Sequence, residues 1–109
     1  MTSAIDPDDW RNQATAELFD AILSLEDRDD AAAFFRDLCT RRELEEMSAR
    51  WRVVRMLAEG VPYRRIAAET GVSTATITRI NQWLRHGRGG YAAALSRLGL
   101  INKNFKEQL

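Results

Sequence analysis

Arginine is the residue type best placed to do chemistry in this chain, and it is concentrated in the second half. Residues 50–88 hold eight arginines against Glu59 and Glu69, a net charge of +6, whereas residues 1–49 have a net charge of −8. The overall charge of zero therefore conceals a basic segment. Guanidinium groups suit contacts with phosphates and base edges, so the segment favours a nucleic-acid partner.

Catalysis and metal binding are not indicated. His86 is the one histidine and stands in no nucleophile motif, and Cys39 is the one cysteine, so neither an internal disulfide nor a Cys/His zinc cluster can form. Cys39 lies on an apolar helical face and is expected to be a buried thiol. The acids Asp27, Asp29 and Asp30 lack the glycine and distal glutamate of a calcium loop. We predict a protein that is not an enzyme and that holds no metal or other cofactor.

Length and composition indicate one compact domain. The chain has 109 residues, of which 45% are hydrophobic and 29% charged, as in ordinary globular proteins. No apolar run approaches the ~20 residues of a membrane span, and the start MTSAIDPDDW lacks the features of a signal peptide. We expect a cytoplasmic protein.

Helical periodicity covers nearly the whole chain, which predicts an all-α fold of about six helices. Asp6 and Pro7 are expected to cap the first helix, which would run to Leu25. An acidic connector, 26–30, precedes a second helix that ends near Cys39. Thr40 opens a T-x-x-E capping box for a third helix over 41–59, and later helices are expected over 62–70, 73–85 and 91–98. The apolar face of the first helix comprises Trp10, Ala14, Leu18, Ile22 and Leu25.

One motif has a steric reason at every fixed position of a helix-turn-helix. A small residue lets two helices cross closely, a glycine takes the positive φ of the turn, and a serine caps the second helix. Three apolar residues would form the wedge between the helices. In this sequence the motif reads Ile66-Ala67-x-x-x-Gly71-Val72-Ser73-x-x-x-Ile77-x-x-Ile80.

If Ile77 and Ile80 face inward, the opposite face of the second motif helix is free to enter a DNA major groove. Arginines on either side would then contact phosphates and set the register, although each alone is also consistent with an ordinary solvated surface. The candidate base-reading residues are Ser73, Thr74, Ala75, Thr78, Arg79 and Gln82, and the candidate phosphate contacts are Arg64, Arg65, Arg85 and Arg88.

From Leu38 to about Leu98 the chain resembles the Trp repressor superfamily, particularly its YerC/YecD branch. The resemblance rests on LCTRRELEEMSARWRVVRMLAEG followed by RRIAAETGVSTATITRINQWL. It implies an all-α dimer with N-terminal helices interlocked with those of the partner, over 1–39, and a helix-turn-helix region over 40–98. Residues 99–109 would form a C-terminal tail of the same compact domain.

In the Trp repressor two arginines sandwich the indole of the co-repressor, and they align with Arg50 and Arg79. Thr40 and Thr76 also match positions that line the ligand. These four residues, together with Ile80 and Trp83, would make up a vestigial ligand pocket.

The resemblance fails where the ligand would lie. Ile80 replaces a small residue and Trp83 replaces a hydroxyl residue, and the stretch between Gly60 and Ile66 is one residue shorter. We therefore expect no tryptophan co-repressor. We also hypothesise that Trp83 fills the vacated pocket, with ordinary core packing of Trp83 as the alternative.

The sequence therefore predicts a dimeric, sequence-specific DNA-binding regulator, a repressor that reads a pseudo-palindromic operator. The alternative is a dimeric interaction module that acts through a protein partner with weak sequence preference of its own. The operator, the regulated genes, the direction of regulation, any small-molecule effector and the role of the tail are left open.

Overall fold

The computed structural model describes residues 9–101, and this range contains six α-helices and no strand. The prediction of an all-α fold is confirmed. None of the helices within this range has the length and apolar character needed to cross a membrane. The helices are α1 (Gln13–Leu23), α2 (Arg28–Leu38), α3 (Arg41–Ala58), α4 (Tyr63–Thr70), α5 (Thr74–His86) and α6 (Gly90–Arg97).

The first compact unit of the chain, Met1–Thr40, contains α1 and α2. α1 begins later than predicted, because Asn12 forms a capping box with Thr15. The Asn12 side chain accepts from the Thr15 amide at 2.9 Å, and the Thr15 hydroxyl accepts from the Asn12 amide at 2.9 Å. The prediction that the helix starts at Pro7 was wrong for residues 9–12, which are not helical. The predicted cap at Asp6 and Pro7 lies outside the described residues.

α2 begins at Arg28, inside the stretch that was predicted to be a connector. Asp27 is the N-cap, and its carboxylate accepts from the Asp30 amide at 2.8 Å, while the Asp30 carboxylate accepts from the Glu26 amide at 3.2 Å. Asp29 and Asp30 lie in the first turn, where negative charge is favourable at a helix N-terminus. Asp27 and Asp30 are therefore capping residues, and Asp29 adds negative charge to the first turn.

No residue of α1 or α2 is buried in the single chain. The predicted burial of an apolar face on α1 is wrong at this level: Trp10 is 48% exposed, and Leu18, Ile22 and Leu25 are at most half-buried. Leu23 is 83% exposed and Cys39 is half-buried rather than buried. Edge-to-face pairs such as Trp10 with Phe19, at 5.8 Å between ring centroids, give these helices local contacts but no core.

The second unit, Arg41–Leu109, holds the hydrophobic core. α3 contributes half of it from its C-terminal end, after which the chain turns at Gly60. α4 and α5 pack against α3 and against each other, and α6 packs on α5. The core therefore fixes α5 from one side. Its buried members are Val53, Val54, Met56, Leu57, Ala58, Ile66, Ile77, Ile80, Leu84 and Leu95.

Candidate nucleic-acid interface

A three-residue turn joins α4 to α5. Gly71 ends α4 with φ +74°, in the left-handed region that favours glycine, and its amide donates to the Ala67 carbonyl at 2.9 Å. The Thr70 hydroxyl accepts from the Val72 amide at 3.1 Å and donates to the Ile66 carbonyl at 2.7 Å. The turn is therefore held by its own hydrogen bonds, and the predicted positive φ at Gly71 is confirmed.

Ser73 is the N-cap of α5, as the motif predicts. Its hydroxyl oxygen accepts from the Thr76 amide at 3.2 Å and satisfies one of the free amides at the start of the helix.

The inner faces of the two helices meet in an apolar contact. Ile66, Ile77 and Ile80 are fully buried, and Ala67 and Val72 are half-buried against them. The spacing of Ile77 and Ile80 places both side chains on the same face of α5, turned into the core. The predicted wedge of the helix-turn-helix is thus present.

The opposite face of α5 is open to solvent. All six candidate base-reading residues are exposed, as are Arg64, Arg65 and Arg88, while Arg85 is half-buried. A helix with one face locked into a core and the other free is the geometry that a major groove admits. The exposed candidates on α5 and at its N-cap are Ser73, Thr74, Ala75, Thr78, Arg79 and Gln82.

Three polar side chains form a chain of hydrogen bonds along α5. The Ser73 hydroxyl donates to Thr76 Oγ1 at 3.0 Å, and Arg79 Nη2 donates to the same oxygen at 3.1 Å. Arg79 is therefore exposed but oriented along the helix. Thr76 was predicted to line the ligand pocket, and its contact with Arg79 was not predicted, although the i, i+3 spacing of the two residues is the signal for it.

The candidate phosphate contacts differ in their surroundings. Arg65 pairs with Glu69 at 3.1 Å within α4, and Arg85 Nε donates to Asn81 at 3.3 Å within α5. Arg64 and Arg88 make no hydrogen bond or ion pair with other described residues. Arg64 is accordingly a free cation in the first turn of α4, whereas Arg65 would have to exchange Glu69 for a phosphate.

The residues aligned with a ligand pocket differ in their surroundings, and two of them, Thr76 and Arg79, are in contact. Ile80 is turned fully into the core, Arg50 is exposed, and Arg79 lies beside Thr76. Trp83 is 53% exposed in the single chain, so it is not a core residue of that chain, and the hypothesis that it fills a vacated pocket stays a prediction. The remaining member, Thr40, belongs to the first unit.

The junction of α5 and α6 forms a cleft of about 740 Å³ that was not predicted from the sequence. The signal for it is the pair of aromatic residues at 83 and 91 on either side of a glycine-rich loop. The lining residues are Trp83, His86, Gly87, Arg88, Gly90 and Tyr91.

Comparison with known proteins agrees with this geometry. The model of the Trp repressor protein family matches residues 13–99. An uncharacterised protein, YerC of Bacillus subtilis (strain 168), is 44% identical over 91 residues, which are 84% of this chain and 88% of YerC.

Two crystal structures are similar along most of the chain. A TrpR-like protein from Eubacterium eligens is 47% identical, with a TM-score of 0.79 over 85% of this chain and 96% of its own. A candidate Trp repressor from Staphylococcus aureus is 42% identical, with a TM-score of 0.79 over 85% of this chain and 93% of its own. The resemblance predicted from the sequence is confirmed, and the chain belongs to the Trp repressor family of helix-turn-helix DNA-binding regulators.

Proposed function

We propose that the protein is a dimeric transcriptional repressor that recognises a pseudo-palindromic operator and does not use tryptophan as a co-repressor. One observation carries the proposal: α5 is locked by Ile77 and Ile80, both 0% exposed, while its opposite face presents unburied polar groups. Such a helix can enter a groove without losing core contacts.

The chemistry of the exposed face suits base edges. A guanidinium such as that of Arg79 can make a bidentate contact with guanine, and an amide such as that of Gln82 can do so with adenine. The Ala75 methyl suits a thymine methyl. Arg64, on α4, would contact the DNA backbone, and such a contact carries no sequence information itself.

Dimerisation is supported by the first unit. α1 and α2 have apolar faces but no buried residue, with Leu23 83% and Leu38 52% exposed. Helices of 11 residues are marginal alone in water and gain most of their stability from packing. A second copy would cover these faces. Helix-turn-helix dimers, the Trp repressor among them, bind half-sites about one turn of DNA, ~34 to 36 Å, apart.

The size of two side chains on α5 supports the loss of tryptophan sensing. Ile80 places a buried β-branched side chain and Trp83 a large indole at two positions where the repressor has small groups against its ligand. The hydroxyl of Thr76, also a ligand-lining position, is already bonded to Arg79.

Selection of binders from a random duplex pool tests the proposal. The selection is carried out on the full-length protein with and without L-tryptophan. An Arg79→Ala/Gln82→Ala variant is the control, because it keeps the fold and lacks two candidate base-reading side chains. We expect a pseudo-palindrome that is enriched equally in both wild-type arms and lost in the variant.

Affinity for the selected duplex and for a scrambled duplex is then compared at several salt concentrations. Non-specific binding to phosphates weakens steeply with salt on any sequence. Base reading instead leaves a large ratio between the affinities for the selected and the scrambled duplex at the same salt concentration. The absence of enrichment in every arm would contradict the proposal and favour an interaction module.

A further inference from the structure

The exposed face of α4 has two rows of side chains, each one helical turn long. In one row Arg64 is followed by Ala68, and Arg64 makes no hydrogen bond or ion pair with other described residues. In the other row Arg65 is followed by Glu69, and Arg65 Nε lies 3.1 Å from Glu69 Oε1. Two neighbouring arginines of one helix therefore differ: the charge of the first is free and that of the second is neutralised.

Glu69 is a lone acid in a basic stretch of the sequence. Residues 60–106 contain eight arginines and lysines and a single acidic residue, Glu69. It lies two residues before Gly71, which ends α4 at the turn into α5. A carboxylate beside a helix that enters a DNA groove is repelled by the phosphates, because charges act over about 10 Å at 0.1 M salt. An acid at this place therefore opposes DNA affinity.

Helix stability does not account for the pair. Arg65 lies near the N-terminus of α4 and Glu69 near its C-terminus. The helix macrodipole favours the reverse order, and an arginine followed by a glutamate is also the weaker order for an i, i+4 pair. The two side chains are 68% and 44% exposed, and pairs as exposed as this add little to stability.

The pair changes what α4 offers to a duplex. Affinity for any DNA grows with the number of phosphates that the cations of a protein neutralise, because each contact releases a condensed counter-ion. A guanidinium that is already neutralised by a carboxylate adds nothing to that number. If Arg65 moved to a phosphate, Glu69 would be left unpaired beside the duplex. Glu69 therefore opposes the predicted phosphate contact of Arg65.

The loss of one cation affects non-specific and operator complexes unequally. On a random duplex the protein can occupy any register, so a free cation at position 65 would contribute wherever a phosphate comes within its reach. On an operator the base contacts fix a single register, and the cation would contribute only if a phosphate lies within its reach in that register. A neutralised Arg65 is therefore the greater loss on random DNA.

We propose that Glu69 is a specificity-determining residue. It holds Arg65 as an intramolecular counter-ion, and it thereby weakens binding to duplexes that α5 cannot read more than binding to the operator. The inference rests on the proposed function, because base reading by α5 defines the operator. The pair lies within one helix, so its geometry needs no second copy of the chain.

Removal of the carboxylate charge in the full-length protein tests the proposal. Glu69→Gln frees Arg65, and we expect it to raise the affinity for a scrambled duplex by about three- to tenfold and to steepen the dependence of log K on log salt by about 1. The gain on the selected duplex should be smaller, so the ratio of the two affinities falls. In an Arg65→Gln background there is no cation to free, and the same replacement should give a smaller gain and no steeper salt dependence.

Glu46→Gln is the matched control. Glu46 is exposed on α3, outside the helix-turn-helix, and its carboxylate lies 3.4 Å from Arg42 Nε in the same i, i+4 order. The replacement removes the same charge and should leave both affinities as in the wild type. Urea unfolding midpoints check that every variant is folded.

Three results would overturn the inference. They are an unchanged affinity of Glu69→Gln for the scrambled duplex, an equal gain with and without Arg65, and an equal gain on the scrambled and the selected duplex. Each of these leaves the proposed function standing, because a selected duplex exists. If the selection enriches no sequence, the proposed function itself fails, and the specificity role of Glu69 fails with it.

Discussion

Arg79 Nη2 lies 3.1 Å from Thr76 Oγ1, one turn earlier on α5. The threonine oxygen also accepts from the Ser73 hydroxyl at 3.0 Å, so the cap of the helix and its exposed guanidinium share one acceptor. An arginine held in this way loses fewer rotamers when it meets DNA than a free one would, and preorganisation of this kind improves affinity.

Replacement of Thr76 should show whether that contact matters. Thr76→Val removes the hydroxyl at equal size and is expected to weaken binding to the selected duplex by about 0.5 to 1.5 kcal/mol, whereas Thr76→Ser keeps the acceptor and should bind nearly as the wild type does. The measurement is duplex affinity in the Arg79 and Arg79→Ala backgrounds. If Thr76→Val costs as much without Arg79 as with it, the contact does not act through that arginine.

Arg79→Ala and Arg64→Ala should have different effects on DNA binding: the first on sequence preference, the second on affinity for every sequence. Loss of a base contact at Arg79 is expected to cost about 1 to 3 kcal/mol on the preferred duplex and to relax base choice at one position. Loss of a phosphate contact at Arg64 should weaken all sequences alike and lower the salt slope by about 1. Both variants are compared on selected and scrambled duplexes across a salt series. The same profile for both would remove this division of roles.

Local signals explain why the helix-turn-helix was predicted in detail, whereas the start of the first helix was not. In the motif, the positive φ at Gly71, the cap at Ser73 and the spacing of Ile77 and Ile80 all indicate the same structure. At the N-terminus two capping signals compete, one at Asp6 and one at Asn12, and within the described residues the helix begins after Asn12.

The exposure of Trp83 in the single chain was not predicted, and the reason is geometric. Ile77, Ile80 and Leu84 define the buried stripe of α5, and at about 100° per residue Trp83 falls at the edge of that stripe. Periodicity alone does not decide the burial of a residue at such an edge. The cleft was missed because it depends on how α6 packs against α5, which no local pattern contains.

Gly71 should be intolerant of a side chain for conformational rather than steric reasons. A Cβ at Gly71 would meet nothing within 4 Å, yet φ is +74°, so Gly71→Ala is expected to lower the free energy of unfolding by about 1 to 2 kcal/mol. Gly90→Ala is the matched control, since Gly90 has equal space and no positive φ. Urea unfolding midpoints measure both. Equal midpoints for the two variants would contradict the strained-turn explanation.

The apolar faces of α1 and α2 should control assembly. Leu38→Glu introduces a charge on the face that also carries Phe34 and Phe35, and we expect it to lower the dimer fraction and the thermal midpoint at a given protein concentration. Ala33→Glu is exposed on the opposite face of α2 and serves as the control. Sedimentation equilibrium gives the mass of each variant. If Leu38→Glu leaves the mass of the assembly in solution unchanged, the dimer contact lies elsewhere.

Ile80 and Trp83 lie one helical turn apart on α5, but truncation should cost far more stability at Ile80 than at Trp83. Ile80 is 0% exposed inside the core, so Ile80→Ala removes buried methyl groups and is expected to cost about 2 to 5 kcal/mol of unfolding free energy. Trp83 is 53% exposed, and Trp83→Ser should cost about 1 kcal/mol or less despite the larger change in volume. Chemical denaturation at equal protein concentration compares the two. A large loss for Trp83→Ser would mean that the indole is covered in the native assembly.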